Sequence, residues 1–383
     1  MMKQEENMDN DKVNLSQVIA IGGAFMGFVI GSSFASGQEC LQYFSGHGVW
    51  GSIGVGIIAL TLYVWFNIVI IEDGRNLQLK QTNKMFQFYL GKYLGTFCEW
   101  FTPIMLFLVY ALMISAAGST FEEYYGLNGN IGRIIMIVVS LATVLLGLKK
   151  LVQIIGYISP FLLVGIIAIS ILAIAKNPQG IIDANEVMKN VEVNNAFNNW
   201  LVSGLLYGAY TVTGVVPYLA GIGASTATNK KNALIGGIFG GAAFIIAVMI
   251  MNFGLLANIN TVYNLQIPSL YVADQVSPLF GKIFAIMLIL GIYTTAVPMM
   301  FTACNRVSEN DKSSKFKIAA IITAIVGFIG GQLSFSTMVG IIYPISGYVG
   351  LIIFVGMFYT KYIKKRSYDE FLDTIGQKRI ETN

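Results

Sequence analysis

The sequence predicts an all-α polytopic membrane protein: ten transmembrane helices arranged as a 5+5 inverted repeat, with helices one and six broken. The first observation behind this is composition. Of the 383 residues, 55% are hydrophobic and only 11% charged, whereas a soluble domain carries about 25% charged residues. The second is a series of ten apolar runs, each near the roughly 20 residues that cross a hydrocarbon core of about 30 Å. The third is an internal match between the fifth and tenth runs.

Taken in order, the runs cover 15–44, 48–71, 96–120, 131–148, 150–175, 198–220, 232–258, 281–305, 315–332 and 334–360. With a cytoplasmic N-terminus and alternating spans, the basic residues fall almost wholly on one side. Lys3 and Lys12 precede the first span, Arg75, Lys80, Lys84 and Lys92 follow the second, and Lys149 and Lys150 follow the fourth. Lys230 and Lys231, the group from Arg306 to Lys317, and the tail from Lys361 to Arg379 complete the inner set. Twenty of the 24 Lys and Arg then lie inside, leaving Arg133, Lys176, Lys189 and Lys282 outside. This bias supports both the span count and cytoplasmic termini. The net charge of +4 is thus explained by topology, and nucleic acid is not an expected partner.

The pieces between spans are short, so one transmembrane domain over 15–360 is expected, flanked by a leader at 1–14 and a basic tail at 361–383. The leader contains acids and has no A-x-A-like cleavage site, so it is expected to stay in the mature chain. The segment 259–280 is too polar and too interrupted by proline to span; its apolar residues suit a re-entrant or surface lid. Cys40, Cys98 and Cys304 lie in or at the edges of spans, which suggests no disulfide framework.

Repeats expose architecture. "LVQIIGYISPFLLVGII" from Leu151 matches "MVGIIYPISGYVGLIIF" from Met338 at a constant offset of 187 residues. Aliphatic identities are cheap, so the pair Ser159/Ser346 and the displaced Pro160 and Pro344 carry the weight. The halves are then about 15–175 and 198–360. Five spans is an odd number, so the second copy starts from the opposite side of the membrane. Each half also opens on an interrupted span, "GSSFASG" at Gly31–Gly37 and "GAYTVTGVVP" at Gly208–Pro217. Paired interruptions in inverted halves point to a transporter's central site, although glycine and serine also serve close helix packing.

A helix broken at mid-membrane frees N–H and C=O groups that no water reaches, so a ligand can become their partner. The outer half of span 1 would turn amide donors toward an anionic group, and the carbonyls ending its inner half would suit a small cation.

The stretch "VIGSSFASGQE" resembles the first-helix glycine motif of the amino acid–polyamine–organocation superfamily, and within it the YkvI-type bacterial membrane proteins, whose version is similar to "GAGFASGQE". Ser32 and Ser33 replace the small Ala-Gly pair. The resemblance implies the leucine-transporter-like fold across all ten spans. It also implies a substrate carboxylate on backbone N–H groups of Ser32, Ser33 and Phe34, faced by span 6 at Tyr210, Thr211, Val212, Thr213 and Gly214. Tyr110 in span 3 sits where such folds often aim a tyrosine hydroxyl at the substrate; a tyrosine bonded to a neighbouring helix is the alternative. Sodium-coupled members hold Na⁺ between span 1 carbonyls and adjacent hydroxyl residues in span 8. Here Thr294 and Thr295, with carbonyls of Gly27, Ile30 and Gly291, would offer five oxygens, the ligand type hard cations take. The alternative is threonines that only back-bond to the preceding turn.

Glu39 is the one acid well inside a span. Such a residue is functional by default, here for proton coupling or for a substrate amine. Ser36-Gly37-Gln38-Glu39 also fits the S-x-x-E capping box, in which Glu39 would secure a helix start; with Ser36 as the cap, the open stretch would be Gly31–Ala35. No His/Cys cluster, phosphate-binding loop or nucleophile elbow appears, so an enzyme is not expected and no resident cofactor is implied beyond a coupling Na⁺. Two readings follow: a secondary transporter of a small amino-acid-like or amine solute driven by Na⁺ or H⁺, or a ligand-sensing receptor subunit resembling the membrane subunits of germinant receptors. The oligomeric state is left open.

Overall fold

A computed structural model describes residues 13–146, 151–308 and 310–378, without the side chains of residues 32 and 151–160. Most of the leader, Lys149 and Lys150, the Ser159 side chain used in the repeat match, and Arg379 lie outside that description. The helices run in chain order as α1 (Leu15–Val29), α2 (Ser32–Ser36), α3 (Gln38–Tyr43), α4 (Gly48–Leu77), α5 (Met85–Tyr125), α6 (Gly129–Leu146) and α7 (Leu151–Lys176). After these come α8 (Pro178–Val187), α9 (Trp200–Tyr210), α10 (Val212–Thr226), α11 (Lys230–Leu256), α12 (Ile259–Val262) and α13 (Pro268–Val276). The last four are α14 (Pro278–Asn305), α15 (Ser314–Gly330), α16 (Phe335–Phe358) and α17 (Tyr368–Thr374).

Polar caps set many of these starts. Side chains of Asn14, Asn229, Ser313 and Ser334 each accept an N–H from the third residue on, which relieves one of the unpaired donors at a helix N-terminus. Pro278, at the first position of α14, has no N–H to leave unpaired. Long apolar stretches then need only close packing, and glycine supplies it. A Cβ on Gly240 of α11 would meet the Gly22 backbone of α1 at 3.0 Å, and one on Gly241 would meet Tyr63 of α4 at 2.9 Å. Backbones approach this closely in membrane bundles where small residues line the seam.

Among the described residues, six helices are long and apolar enough to cross a membrane, or up to eight if each of two bent pairs is one span. The expected first span is divided: α1 stops after 15 residues, and α2 and α3 continue it in two short pieces. The expected sixth span is α9 plus α10, bent by 42°. The expected third span is longer than its apolar run, and Gly91 inside α5 takes a left-handed conformation, φ +75°. Segment 259–280 forms α12 and α13, with Ile267 and Leu270 buried. The Ser269 hydroxyl donates to the Ala35 carbonyl of α2 at 2.5 Å, and Glu123 of α5 accepts the N–H groups of Gln266 and Ile267 at 2.6 and 2.8 Å. This segment is therefore fastened directly against the interrupted first span.

Candidate functional site

The first interruption is narrower than Gly31–Ala35. Ile30 (ψ 82°) and the extended Gly31 leave the helix, and Ser32–Ser36 then closes a helical turn, with the Ala35 N–H donating to the Gly31 carbonyl at 3.0 Å. A second discontinuity follows at Gly37, φ +81°, a region that costs other residues about 1–2 kcal/mol. The chain is thus redirected twice within eight residues, so α3 leaves on a new heading.

That heading corrects the capping-box expectation. The Ser36 hydroxyl accepts the N–H of Gln38 at 3.2 Å and donates to the Ser33 carbonyl at 2.7 Å. The Glu39 carboxyl does not return to the Ser36 backbone. It faces α9, where the hydroxyls of Tyr207 and Tyr210 donate to its two oxygens at 3.3 and 3.2 Å. Those tyrosines stand three apart, hence on one helix face. Glu39 itself is 1% exposed.

The second interruption is a bend rather than an unwound stretch. Thr211 keeps helical angles, φ −77° and ψ −22°, and its carbonyl already accepts the N–H groups of Gly214 and Val215. Beside the bend, the Thr211 hydroxyl donates to the Tyr63 hydroxyl at 3.2 Å. Thr213 and Ser346 pair their hydroxyls at 2.8 Å, and Ser346 donates to the Tyr210 carbonyl at 2.6 Å. The Tyr210 ring stacks on Tyr343 of α16, with centroids 4.5 Å apart.

Between the two interruptions lies a cavity of about 120 Å³. Gly31, Ser33, Glu39, Tyr210, Thr211 and Thr213 all line it, so six of the ten predicted substrate residues meet there. Phe34 packs on Phe244 at 5.5 Å instead, and Ser36 is buried within the α2–α3 turn. Ser32 is placed by its backbone alone, in the first turn of α2. Tyr110 does not line the cavity: its hydroxyl shares a 3.3 Å hydrogen bond with Ser140 of α6, and its ring lies against Gly327 of α15. Rotation about the helix axis decides this, because Val109, the neighbouring position about 100° around the helix, and Met113 of the same helix do face the cavity.

A second cavity, about 460 Å³, shares Phe28, Gly31, Leu106, Gly214, Thr295 and Met299 with the first and extends to Asn83, Glu99 and Arg306. Four residues of the predicted cation group, Gly27, Ile30, Thr294 and Thr295, line it. Gly291 does not, but its carbonyl accepts both threonine hydroxyls, at 3.0 and 2.9 Å. The back-bonding alternative therefore describes the hydroxyl protons, while the threonine oxygens keep lone pairs.

Sequence reasoning missed Phe28, Met105, Met299, Tyr207 and Tyr343. Tyr343 stands beside Pro344 and Ser346, both already marked by the repeat match, and that was the available signal. Glu99 and Lys84 form an ion pair at 3.2 Å near the far end of the larger cavity.

The chain is similar to two Bacillus subtilis proteins. With "Uncharacterized membrane protein YkvI" it shares 25% identity over 370 residues, covering 94% of this chain and 99% of that one. With "Uncharacterized protein YyaD" it shares 21% identity over 332 residues, 86% of this chain and 93% of that one. No protein-family model matches. Among solved structures, MhsT in complex with L-phenylalanine superposes with a TM-score of 0.62 at 15% identity, covering 94% of this chain and 92% of MhsT. A manganese transporter of Eremococcus coleocola (12% identity) and MHP1, a nucleobase-cation-symport-1 family transporter with bromovinylhydantoin bound (16%), both reach 0.59 over 94% of this chain and 83% and 81% of their own. The resemblance to YkvI-type membrane proteins, read from the first interruption, extends along nearly the whole chain, and the fold is the leucine-transporter-like one.

Proposed function

We propose that the protein is a secondary active transporter of a small amino-acid-like or amine solute, coupled to Na⁺ or H⁺ by alternating access. The observation that carries this reading is Glu39: a carboxyl buried at the meeting of two interrupted helices, lining a cavity whose walls, among the described residues, hold no Lys, Arg or His. A buried carboxylate without a positive partner is costly, so the site calls for a cation that arrives and leaves, whether a solute amine, a proton or a metal ion. One carboxyl amid hydroxyls and apolar groups fits an amine better than a transition metal, which prefers imidazole, thiolate or several carboxylates.

In this reading the ten spans form two inverted halves, about 15–175 and 198–360, with both termini cytoplasmic. The pieces α1–α3 make one span, and the 17-residue α15 makes another at the short end of the workable range. Gly27, Ile30, Thr294 and Thr295 then border the inner approach and could lend oxygens to Na⁺, with Gly291 behind the threonines. Backbone N–H groups at the start of α2 are the partners for a solute carboxylate.

A receptor subunit on the same fold is the competing reading. What favours transport is the second cavity, which shares six wall residues with the first and reaches Asn83, Glu99 and Arg306, because a transporter needs space for a route beside its site. The deciding experiment is uptake of labelled amino acids and amines into proteoliposomes, with and without Na⁺ and pH gradients. Gradient-driven accumulation is expected; binding with no flux in any condition would replace the transporter with the receptor.

A further inference from the structure

A third cavity, of about 720 Å³, lies between the end of α5, the 259–280 segment and the start of α14, away from the two interruptions. We propose that it binds one phospholipid with a primary-ammonium headgroup, of the phosphatidylethanolamine type. In the topology proposed above this is the outer end of the bundle. The inference rests on that reading only for the leaflet that supplies the lipid.

The cavity opens on the side of α14 that a bilayer would cover. Leu279, Ile283, Ile286 and Leu290 are 43–67% exposed and stand three or four residues apart, hence on one helix face. Ile286 belongs both to that stripe and to the cavity wall. An acyl chain lying along the stripe therefore brings its headgroup to the cavity. Tyr124, Tyr125 and Tyr271 also line it, and tyrosine gathers at the headgroup level of membranes.

The lining carries both signs of charge: Lys282 is its one base, and Glu123 and Asp274 are its acids. Asp274 and Lys282 are ion-paired neither with each other nor with any other described residue. Glu123 accepts two backbone N–H groups, which leaves part of the roughly four acceptor positions of a carboxylate. A zwitterionic headgroup answers both ends at once. Its phosphate meets the Lys282 ammonium and tyrosine hydroxyls, and its own ammonium, with three donors, meets the carboxylates. A phosphatidylglycerol headgroup brings negative charge and nothing to pair with the acids. A phosphatidylcholine headgroup has a cation but no N–H to donate. Leu265, Ile267 and Leu270 of the same wall belong to the 259–280 segment, so a bound lipid braces that segment where Ser269 fastens it to α2.

The test is native mass spectrometry of the purified, delipidated full-length protein, titrated with phosphatidylethanolamine, phosphatidylcholine and phosphatidylglycerol of matched acyl chains. The ethanolamine lipid is expected to bind roughly fivefold tighter or more than either other lipid, and Lys282→Ala to weaken it about fivefold, the scale of one basic residue at a membrane surface. Asp274→Asn should remove most of the preference for ethanolamine over choline. The wild-type ranking needs no variant, and hydrogen exchange of the wild type should slow across 265–276 with the ethanolamine lipid alone. Equal binding of the three lipids, preference for choline or glycerol, or a ranking that neither substitution alters would overturn the inference. So would equal competition by glycerophosphoethanolamine, which lacks acyl chains and would make this a site for a soluble headgroup. None of these readouts involves flux: lipid selectivity without transport sinks only the transporter, and transport without lipid selectivity sinks only this site.

Discussion

The Tyr210 hydroxyl donates to Oε2 of Glu39 at 3.2 Å, joining the α9 end of the second interruption to the residue just past the first. Two buried side chains thereby tie the two discontinuities together through one hydrogen bond. A hydrogen bond to a charged group contributes about 1.5–3 kcal/mol, and 1.4 kcal/mol is roughly tenfold in an equilibrium constant. Tyr210→Phe is therefore expected to raise the KM of solute uptake roughly tenfold or more while the protein stays folded, because the Tyr343 stacking contact survives. Initial-rate kinetics in proteoliposomes check it, and an unchanged KM would detach Tyr210 from the site.

The threonine pair of α14 gives a second prediction. A Cβ on Gly31 would lie 3.3 Å from Thr295 Oγ1, so α14 stands directly against the first interruption. Both threonine hydroxyls donate to Gly291 and leave their oxygens available as hard-cation ligands. Thr294→Ala combined with Thr295→Ala is expected to abolish Na⁺ stimulation of uptake. Na⁺ stimulation that persists at wild-type level would remove these residues from the coupling site.

These two regions differ in how far sequence alone reached them. The stretch from Gly31 to Glu39 and the threonine pair stood out because glycine, hydroxyl and acidic residues are expensive or unusual in lipid and thus readable without coordinates. The cavity's far wall was not readable. Met105, Met299 and Phe28 are ordinary apolar residues in apolar helices, and only the rotation of each helix about its axis tells which of them faces inward. Tyr110 failed for the same reason: it lies one position from Val109 on α5, about 100° around the helix. Glu39 was found, but its role was split between cap and site, and the left-handed Gly37 that turns it toward α9 is a backbone angle that sequence only suggests.

Tyr110 gives the converse test. Its hydroxyl bonds Ser140 of α6, away from the cavity. Tyr110→Phe should cost about 1 kcal/mol of stability through the lost buried hydrogen bond and leave the KM of uptake unchanged. A raised KM with unaltered stability would return Tyr110 to the solute site.

Gly37 and Gly126 separate backbone conformation from crowding. Both have positive φ, +81° and +63°. A Cβ at Gly126 meets nothing within 4 Å, whereas one at Gly37 meets the Met251 methyl at 2.9 Å and the Ser269 backbone nitrogen at 3.2 Å. Gly126→Ala should lose only the conformational cost, about 1 kcal/mol. Gly37→Ala should lose more, and should also impair uptake, because Ser269 belongs to the segment fastened on α2. Melting temperatures and uptake rates of the two variants, compared side by side, provide the measurement; equal losses would show that the 259–280 contact is compliant.

The last prediction concerns the opposite end of α4. Asp73, wholly buried, accepts from Lys361 Nζ at 2.5 Å, from the Tyr368 hydroxyl at 2.7 Å and from the Tyr89 hydroxyl at 2.9 Å. Lys361 also reaches Glu72 at 3.1 Å, and Arg366 donates to the carbonyls of Gln87 and Phe88 at 3.0 and 2.8 Å. The chain after α16 is thus bound across the start of α5 and the end of α4. Removing one member of a buried ion pair strands the other, at about 3–5 kcal/mol, while replacing both is often near neutral. Lys361→Met alone is expected to lower the melting temperature sharply in detergent, since the Asp73 carboxylate keeps only hydroxyl donors. Adding Asp73→Asn to it should recover most of the loss, because an amide in that position carries no charge to leave unpaired. The coupling between the two substitutions is what a double-mutant cycle reports. A double variant as unstable as Lys361→Met would mean that Lys361 stabilises this end by packing its hydrocarbon stem and not by pairing with Asp73.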